Sequence, residues 1–421
     1  SFYLPLIQFK AVPHGHLTKE QLLTYDRNIT THTLAITGKR GEVVKWKYFQ
    51  YLALLFTEHY LDRYYGDPAA LLQSLNEYTA RWNDPQDRTV RNESNVVVPM
   101  FEGNELNKIA FWMATGSGKT LLMHVNILQH KHWTKQHGRK PVNRVILVTP
   151  NDGLTNQHLQ EFALSGIDAT RFDRSGGSAF KGEVIDVIEI TKLKEEHGDK
   201  TVAVDAFEQD NLVLIDEGHR GVAGDEWKDR RDVLSKAGFA FEYSATFGQA
   251  VSAAAGAKRQ SLLTEYSKSI LFDYSYRWFH RDGYGKDYYI LNVPEHRDAT
   301  YTRKYLTGSL LAFYQQTLIW EEHRADATKY NIAKPLFVFV GSSVNAVRSV
   351  EKKPTSDVLD IVRFFTAFIG EQQESIRHLR ELLTGQDGLK DTNDQNIFRN
   401  RFGYLQNRIT DFDALYADLL A

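Results

Sequence analysis

The chain has 421 residues and a mass of 48.4 kDa, more than one hydrophobic core ordinarily organises, so two or three domains are expected. Hydrophobic residues make up 42% and charged residues 25%, the mix of a soluble globular protein, and 51 Lys and Arg against 53 Asp and Glu give a net charge of -2. That balance excludes a histone-like polycation but leaves a local basic groove open, and the absence of cysteine excludes disulfides, thiolate metal sites and cysteine nucleophiles.

No apolar run approaches the ~20 residues that span a bilayer, and Ser1 to Lys10 lacks the basic-then-apolar order of a signal peptide. A cytoplasmic protein is expected, and a start at Ser1 rather than Met fits either a fragment or a trimmed numbering. Residues 1–100 read as a mixed N-terminal region. Within it, Lys45 to Tyr65 carries aromatics and leucines at helical spacing. Asn83 to Asn95 is polar, contains Pro85 and reads as a loop.

From residue 101 to 255 short apolar runs alternate with helical stretches. The runs are Ile109 to Met113, Arg144 to Thr149, Val184 to Ile190, Leu212 to Ile215 and Phe239 to Tyr243. This alternation predicts an α/β domain with a parallel sheet covered on both faces, whose ligands sit at the carboxyl ends of the strands. Residues 256–330 are less regular and read as a connector or insert, although Tyr305 to His323 has helical periodicity. Lys334 to Gly341 (KPLFVFVG) reads as one more buried strand, opening a second α/β region over 331–421 whose remainder is helical. There is no internal repeat.

The sharpest signal is Met113-Ala114-Thr115-Gly116-Ser117-Gly118-Lys119-Thr120, which follows an apolar run and precedes a helical stretch. Two glycines let successive backbone N–H groups turn inward toward phosphate oxygens. Lys119 adds a charge for the β- and γ-phosphates, Thr120 a hydroxyl for Mg2+, and the helix start its positive dipole end. Leu212-Val213-Leu214-Ile215-Asp216-Glu217-Gly218-His219 is a buried strand ending in two acids. Asp216 suits the hydration shell of Mg2+, and Glu217 suits a general base that orients water. His219 is either a link to neighbouring motifs or an ordinary loop residue.

Together with Ser244-Ala245-Thr246 after the last of these runs, the motifs resemble those of the superfamily 2 helicases and translocases. The wording MATGSGKT with IDEGHRG is most similar to the ATPase subunits of type III restriction enzymes and related phage-defence proteins, and the likeness covers residues 105 to 250 best. In those relatives the first glycine of the loop pattern is commonly replaced, as Met113 replaces it here. The resemblance implies a RecA-like P-loop motor domain, an incomplete second RecA-like domain, ATP and Mg2+ as cofactors, and ATP hydrolysis coupled to movement on double-stranded DNA. It implies coupling through Ser244, Ala245 and Thr246. DNA-backbone contacts are implied at Thr149, Pro150 and Asn151, which Leu154 and Gln157 follow, and at Thr191. Gln50, after Phe49, resembles the adenine-reading glutamine, although its separation from Lys119 is longer than such a motif usually shows. A methyltransferase or other defence-complex subunit is the implied partner.

The match is incomplete. After Gly341 no QxxxRxxR-like stretch supplies an arginine finger: Arg399, Arg401 and Arg408 stand at other spacings, and no PD…ExK nuclease pattern occurs. The chain as given is therefore expected to bind ATP and hydrolyse it poorly, and a nucleotide-regulated DNA clamp without efficient turnover is the rival reading. Tyr274 to Tyr289 interleaves aromatics with Arg277, Arg281 and Lys286, and reads either as a base-stacking surface or as a hairpin packed on the domain. His124, His130, His132 and His137 read as solvated helix and loop residues.

Overall fold

The structure is a computed structural model describing residues 17–87, 96–172, 183–194, 202–203, 209–217, 232–291, 298–330, 332–340, 348–350, 353–355 and 357–421. The chain forms two compact units, Ser1–Asp287 and Tyr288–Ala421.

The first unit begins with three helices, α1 (Lys19–Thr37), α2 (Tyr48–Gly66) and α3 (Pro68–Asn83). Thr18 starts α1 with a capping box in which its side chain accepts from Gln21 N and its N–H donates to the Gln21 side chain. Asp67 caps α3, and Pro68 follows at the first helical position. The sheet strands then alternate with helices: β1 (Lys108–Met113), α4 (Lys119–Gln136), β2 (Val145–Thr149), α5 (Asp152–Leu164), β3 (Ala169–Arg171), β4 (Ile185–Glu189), β5 (Leu212–Asp216), β6 (Phe239–Ser244), α6 (Phe247–Ala253), α7 (Gly256–Ser269), β7 (Ile270–Tyr274) and α8 (Tyr276–Arg281).

Among the described residues the main sheet has seven strands in the order β3-β4-β2-β5-β6-β1-β7, and every neighbouring pair is parallel. The sequence VILVT in β2, LVLID in β5 and FAFEYS in β6 is buried along its whole length, which is why these runs do not alternate apolar with polar. The expected α/β parallel-sheet class is what the chain adopts. Strand ends match the sequence reading to within a residue or two, the scatter normal for such boundaries.

Three expectations need correction. First, the divide falls at 287/288 rather than at 255 and 330. β7 completes the sheet beside β1, so residues 256–287 belong to the first unit, and Ala299–Glu322 belongs to the core of the second. A connector and a sheet-completing strand look alike in sequence when the strand is short and half-exposed, as Ile270–Tyr274 is.

Second, two of the histidines expected to be solvated are interior. α4 runs between the sheet and α2, so it has no solvent face for most of its length. His124 Nδ1 bonds Ser165 Oγ at 2.8 Å and its ring stacks on Phe162, while His130 Nε2 bonds Tyr65 Oη at 2.7 Å. Burial pushes both imidazoles down to about 3, so they are neutral near pH 7.

Third, residues 332–340 form no strand among the described residues. Phe337 stacks on Phe313 at 5.2 Å, but Leu336 and Val340 are exposed. An extended run becomes a buried strand only when other strands pair with its edges, and none described here does. The start of a second RecA-like domain rested on that run.

The second unit is mostly helical, with α9 (Ala299–Glu322), α10 (Asp357–Gly370), α11 (Gln372–Thr384), α12 (Gly403–Gln406) and α13 (Phe412–Leu420). An antiparallel pair of three-residue strands, Arg348–Val350 with Lys353–Thr355, precedes α10. Its core gathers Leu311, Phe368, Leu379, Phe402 and Leu405. Among the described residues no helix is long and apolar enough to cross a membrane.

Candidate nucleotide site

The parallel sheet places the carboxyl ends of its strands along one edge. Met113 ends β1, Thr149 ends β2, Asp216 ends β5, Ser244 ends β6 and Tyr274 ends β7. Every motif read from the sequence in this unit, apart from Gln50, lies at or just beyond that edge, because each interrupts an apolar run where the strand emerges from the core.

The loop between β1 and α4 is shaped by glycine. Gly116 has φ 80° and Gly118 has φ 90°, left-handed values that Cβ-bearing residues adopt at a cost. Gly118 is also the N-cap of α4, and a Cβ there would stand 2.5 Å from Gln50 Nε2. Ser117 N donates to Ala114 O at 3.1 Å, and Ala114 N donates to Tyr274 O at 3.0 Å, which ties the loop to β7. Ser117 is 1% exposed, and its hydroxyl is buried with no hydrogen-bond partner. A buried hydroxyl without a partner is costly in a finished interior and is accounted for where a ligand supplies the missing bond. Thr115 and Gly116 form the exposed crown of the loop, and Thr120 is half-buried in the first turn of α4.

Lys119 turns back over its own loop, donating to Met113 O at 3.2 Å and to Ala114 O at 3.4 Å. Its ammonium also lies 3.7 Å from Glu217 Oε1. The loop after β1 and the acids after β5 thus meet, across the intervening β6.

Glu217 is the most constrained acid of the site. It is a non-glycine residue with φ 52°, held there by its N–H donating to Tyr243 O at 2.9 Å. Its carboxylate accepts from Ser244 Oγ at 3.0 Å and from the Ala245 amide at 3.2 Å. The Thr246 amide donates to Ser244 Oγ at 3.0 Å and so orients that hydroxyl. The segment 244–246 therefore grips the Glu217 carboxylate.

Two supporting residues were not anticipated. His158 on α5 approaches Asp216, with Nε2 2.8 Å from Oδ2. His158 is 2% exposed, and its Nδ1 has no partner. A donating Nε2–H fixes the direction in which the Asp216 carboxylate faces. Trp112, the penultimate residue of β1, donates its indole N–H to Ala245 O at 3.1 Å, so the residue that holds Glu217 is itself held from the strand that carries the loop. His158 and Asp216 are 58 residues apart, and no local pattern links them. Trp112 read as one more apolar strand residue.

Gln50 does reach the loop despite its distance in sequence. Its Nε2 donates to Ser117 O at 2.8 Å, and its Oε1 accepts from Lys47 N at 2.8 Å as part of the start of α2. Both ends of the amide are already engaged, so Gln50 braces the loop. Phe49 is a core residue, stacked on Tyr274 at 4.0 Å.

The expected DNA-contact residues divide. Thr149 is 1% exposed, and its hydroxyl bonds Thr155 Oγ1 at 2.6 Å, so it braces the start of α5 instead of presenting a hydroxyl outward. Asn151 caps α5, accepting from Leu154 N at 3.0 Å, and it is exposed; Pro150 is half-buried. Thr191 is exposed on a short turn after β4. Gly218 and His219 lie outside the described residues. Tyr274 to Tyr289 forms a strand end, the helix α8 and a turn at Asp282-Gly283 rather than a hairpin. Tyr274 Oη donates to Asp282 at 2.5 Å, and Tyr48 Oη donates to the same carboxylate.

Residues 72–249 match the family model described as type III restriction enzyme, res subunit. The match covers α3 to α6 and contains both the phosphate loop and the paired acids. No curated protein matches the chain. Among solved structures, the crystal structure of the Pyrococcus furiosus Hef helicase domain is similar at 12% identity with a TM-score of 0.30, over 74% of this chain and 66% of that one. The chain thus spans just under two thirds of that relative.

Proposed function

We propose that the chain is an ATP-driven motor of the helicase or translocase type, acting on duplex DNA within a restriction or phage-defence complex, with a methyltransferase or other defence-complex subunit as partner. The observation that carries this reading is the meeting of Lys119 with Glu217 at 3.7 Å while Ser244 and Ala245 hold the same carboxylate. An acid fixed in direction beside a phosphate-loop lysine is what water activation next to a terminal phosphate requires.

The residues present fit a magnesium-bound nucleoside triphosphate. The orphaned Ser117 hydroxyl, the amides of a loop turned by two left-handed glycines and the N-terminus of α4 all await an anion. Thr120 and Asp216 would hold the ion, which supplies charge neutralisation between the phosphate oxygens. Lys119 exchanges its loop carbonyls for phosphate oxygens. Glu217 orients water and takes its proton, and Ser244 and the Ala245 amide keep that carboxylate aimed. Pro150, Asn151 and Thr191, at the ends of β2 and β4, supply backbone contacts to DNA.

A second reading, a nucleotide-regulated DNA clamp, is favoured by one feature: Lys119 and the clasp of 244–246 together engage both oxygens of Glu217. Steady-state turnover separates the two readings. With duplex DNA present, the wild-type chain is expected to hydrolyse ATP faster than without it, and Glu217→Gln is expected to bind ATP but turn it over about 10²–10⁴ times more slowly. Normal turnover by Glu217→Gln would remove Glu217 from the role of base. Wild-type binding of ATP without any turnover would favour the clamp.

A further inference from the structure

We propose that a small pocket in the second unit, bounded by Arg399, Arg401, Asn396 and Gln395, receives a backbone phosphate of a nucleic-acid strand whose neighbouring base stacks on Tyr289. The partner class rests on the reading of the protein as a nucleic-acid motor; the site itself is separate from the phosphate loop and from the contacts assigned to Asn151 and Thr191.

The pocket has a volume of about 220 Å³, and Ile290 and Leu291 form its apolar side. Arg401 is the observation that calls for a ligand. Its Nε is shielded from solvent and has no acceptor, and its guanidinium lies over the Tyr289 ring. Among the described residues neither Arg401 nor Arg399 forms a side-chain ion pair, although acids are close in sequence. Each of those acids has other partners, and Asp391 itself lines the pocket. The Asp387 carboxylate accepts from Leu389 N and from Asn396 Nδ2, Asp391 Oδ1 accepts from Asn393 N and Gln395 N, and Asp394 pairs with Lys390. A guanidinium with a buried donor and no counter-ion is costly, and a planar fork of donors matches phosphate oxygens.

The backbone brings the two arginines to one pocket. Asn400, between them, has φ 59°, a left-handed value that asparagine tolerates better than most residues. Gln395 and Asn396 place two more amide side chains on the pocket wall.

The surroundings favour a strand over a free anion. Tyr289 is 69% exposed and Tyr288 66%. Arg401 covers one face of the Tyr289 ring, which is the cation–π arrangement, and leaves the rest of the ring to solvent. Phosphate-binding cations interleaved with open aromatic faces are the combination that holds single strands, because every base has a face to stack.

The test is fluorescence anisotropy of the full chain with a labelled single-stranded oligonucleotide and with the same strand in duplex, over a range of salt. Arg399→Gln with Arg401→Gln is expected to weaken single-strand binding by roughly tenfold or more and to lower the salt slope by about one for each arginine. Arg401→Lys keeps the charge but loses the fork, and is expected to fall between the two. Tyr289→Ala is expected to weaken the single strand more than the duplex. Thermal unfolding checks that each variant folds; Arg399→Gln alone, at an exposed position, decides the matter if the double variant does not. If the wild type binds and the arginine variants bind equally well with the same salt slope, the pocket is not a phosphate site and the motor reading stands. If the wild type binds neither oligonucleotide, the nucleic-acid reading falls and takes the pocket with it.

Discussion

Two polar regions of the first unit, the sheet edge at the start of α4 and the seam between α1, α2 and α4, differ in how their backbone is held. At the sheet edge, Ser117 keeps an unpartnered buried hydroxyl, Lys119 turns back to carbonyls of its own loop and to one acid, and Glu217 sits in a left-handed conformation. In the seam between α1, α2 and α4, polar side chains are bonded to one another. Asn28 Nδ2 and Trp133 Nε1 both donate to Glu58 Oε2 at 2.9 Å, Gln129 Nε2 donates to Leu54 O at 3.0 Å, and Tyr243 Oη donates to Asn126 Oδ1 at 2.7 Å. Both regions are buried and both contain acids. The seam too leaves Glu58 Oε1 and His32 Nε2 buried without a partner, so what sets the edge apart is its left-handed backbone at Gly116, Gly118 and Glu217 beside the orphaned Ser117 hydroxyl.

The sharpest way to break this contrast is at Lys119. Lys119→Ala is expected to cut ATP turnover by at least about 10²–10³, the scale of removing one charge-stabilising donor, while the thermal midpoint stays near wild type. A large loss of stability with little loss of turnover would make the edge structural after all.

The seam should respond in stability instead. Burial pushes the Glu58 carboxyl up to about 7, above its ordinary value of 4.5, against the opposing bonds from Asn28, Gln129 and Trp133. A raised folded-state value means that the folded chain holds the proton more tightly. The corresponding stabilisation is present in full below pH 4.5 and is lost as pH rises through about 7. The buried imidazoles of His124 and His130, pushed down to about 3, act in the opposite sense, and their contribution fades as pH falls below 6.5. Glu58→Gln should therefore remove a stability decrease of up to about 3 kcal/mol between pH 4.5 and 7.5, read as the difference between variant and wild-type denaturation midpoints across that range. Parallel curves for the two proteins would show that Glu58 does not titrate there.

His158 belongs to the edge by geometry and to the interior by burial. His158→Ala is expected to lower turnover by roughly tenfold, chiefly by raising the Mg2+ concentration needed for half-maximal rate, as loss of a residue that orients a metal-binding carboxylate does. An unchanged Mg2+ dependence would reduce His158 to packing. The smallest effect is expected at Trp112. Trp112→Phe removes the bond to Ala245 O, worth about 1 kcal/mol, and should slow turnover a few-fold without altering ATP affinity.

What was legible in the sequence follows from this difference. The phosphate loop and the paired acids are contiguous words at strand ends, and local spacing alone marks them. The strands were legible because an apolar run of five or six residues bounded by polar ones has few alternatives in an alternating pattern. His124 and His130 were misread because a buried histidine and an exposed one look alike until the packing of α4 is known. The division of residues 256–330 was misread because β7 is short and half-exposed, and only its pairing with β1 makes it a sheet strand.

The amino-acid sequence by itself determined the parallel α/β class and the chemistry offered at its edge, since strand periodicity and a glycine-rich turn are short-range properties. Tertiary structure alone decided that His158 meets Asp216 over 58 residues, that Gln50 reaches Ser117 over 67, and that Ser244 and Ala245 hold Glu217 over 27 and 28. Such contacts depend on which strands lie side by side and on how α2 crosses the loop, and strand order is set by the packing of the whole sheet, which no local stretch of residues encodes.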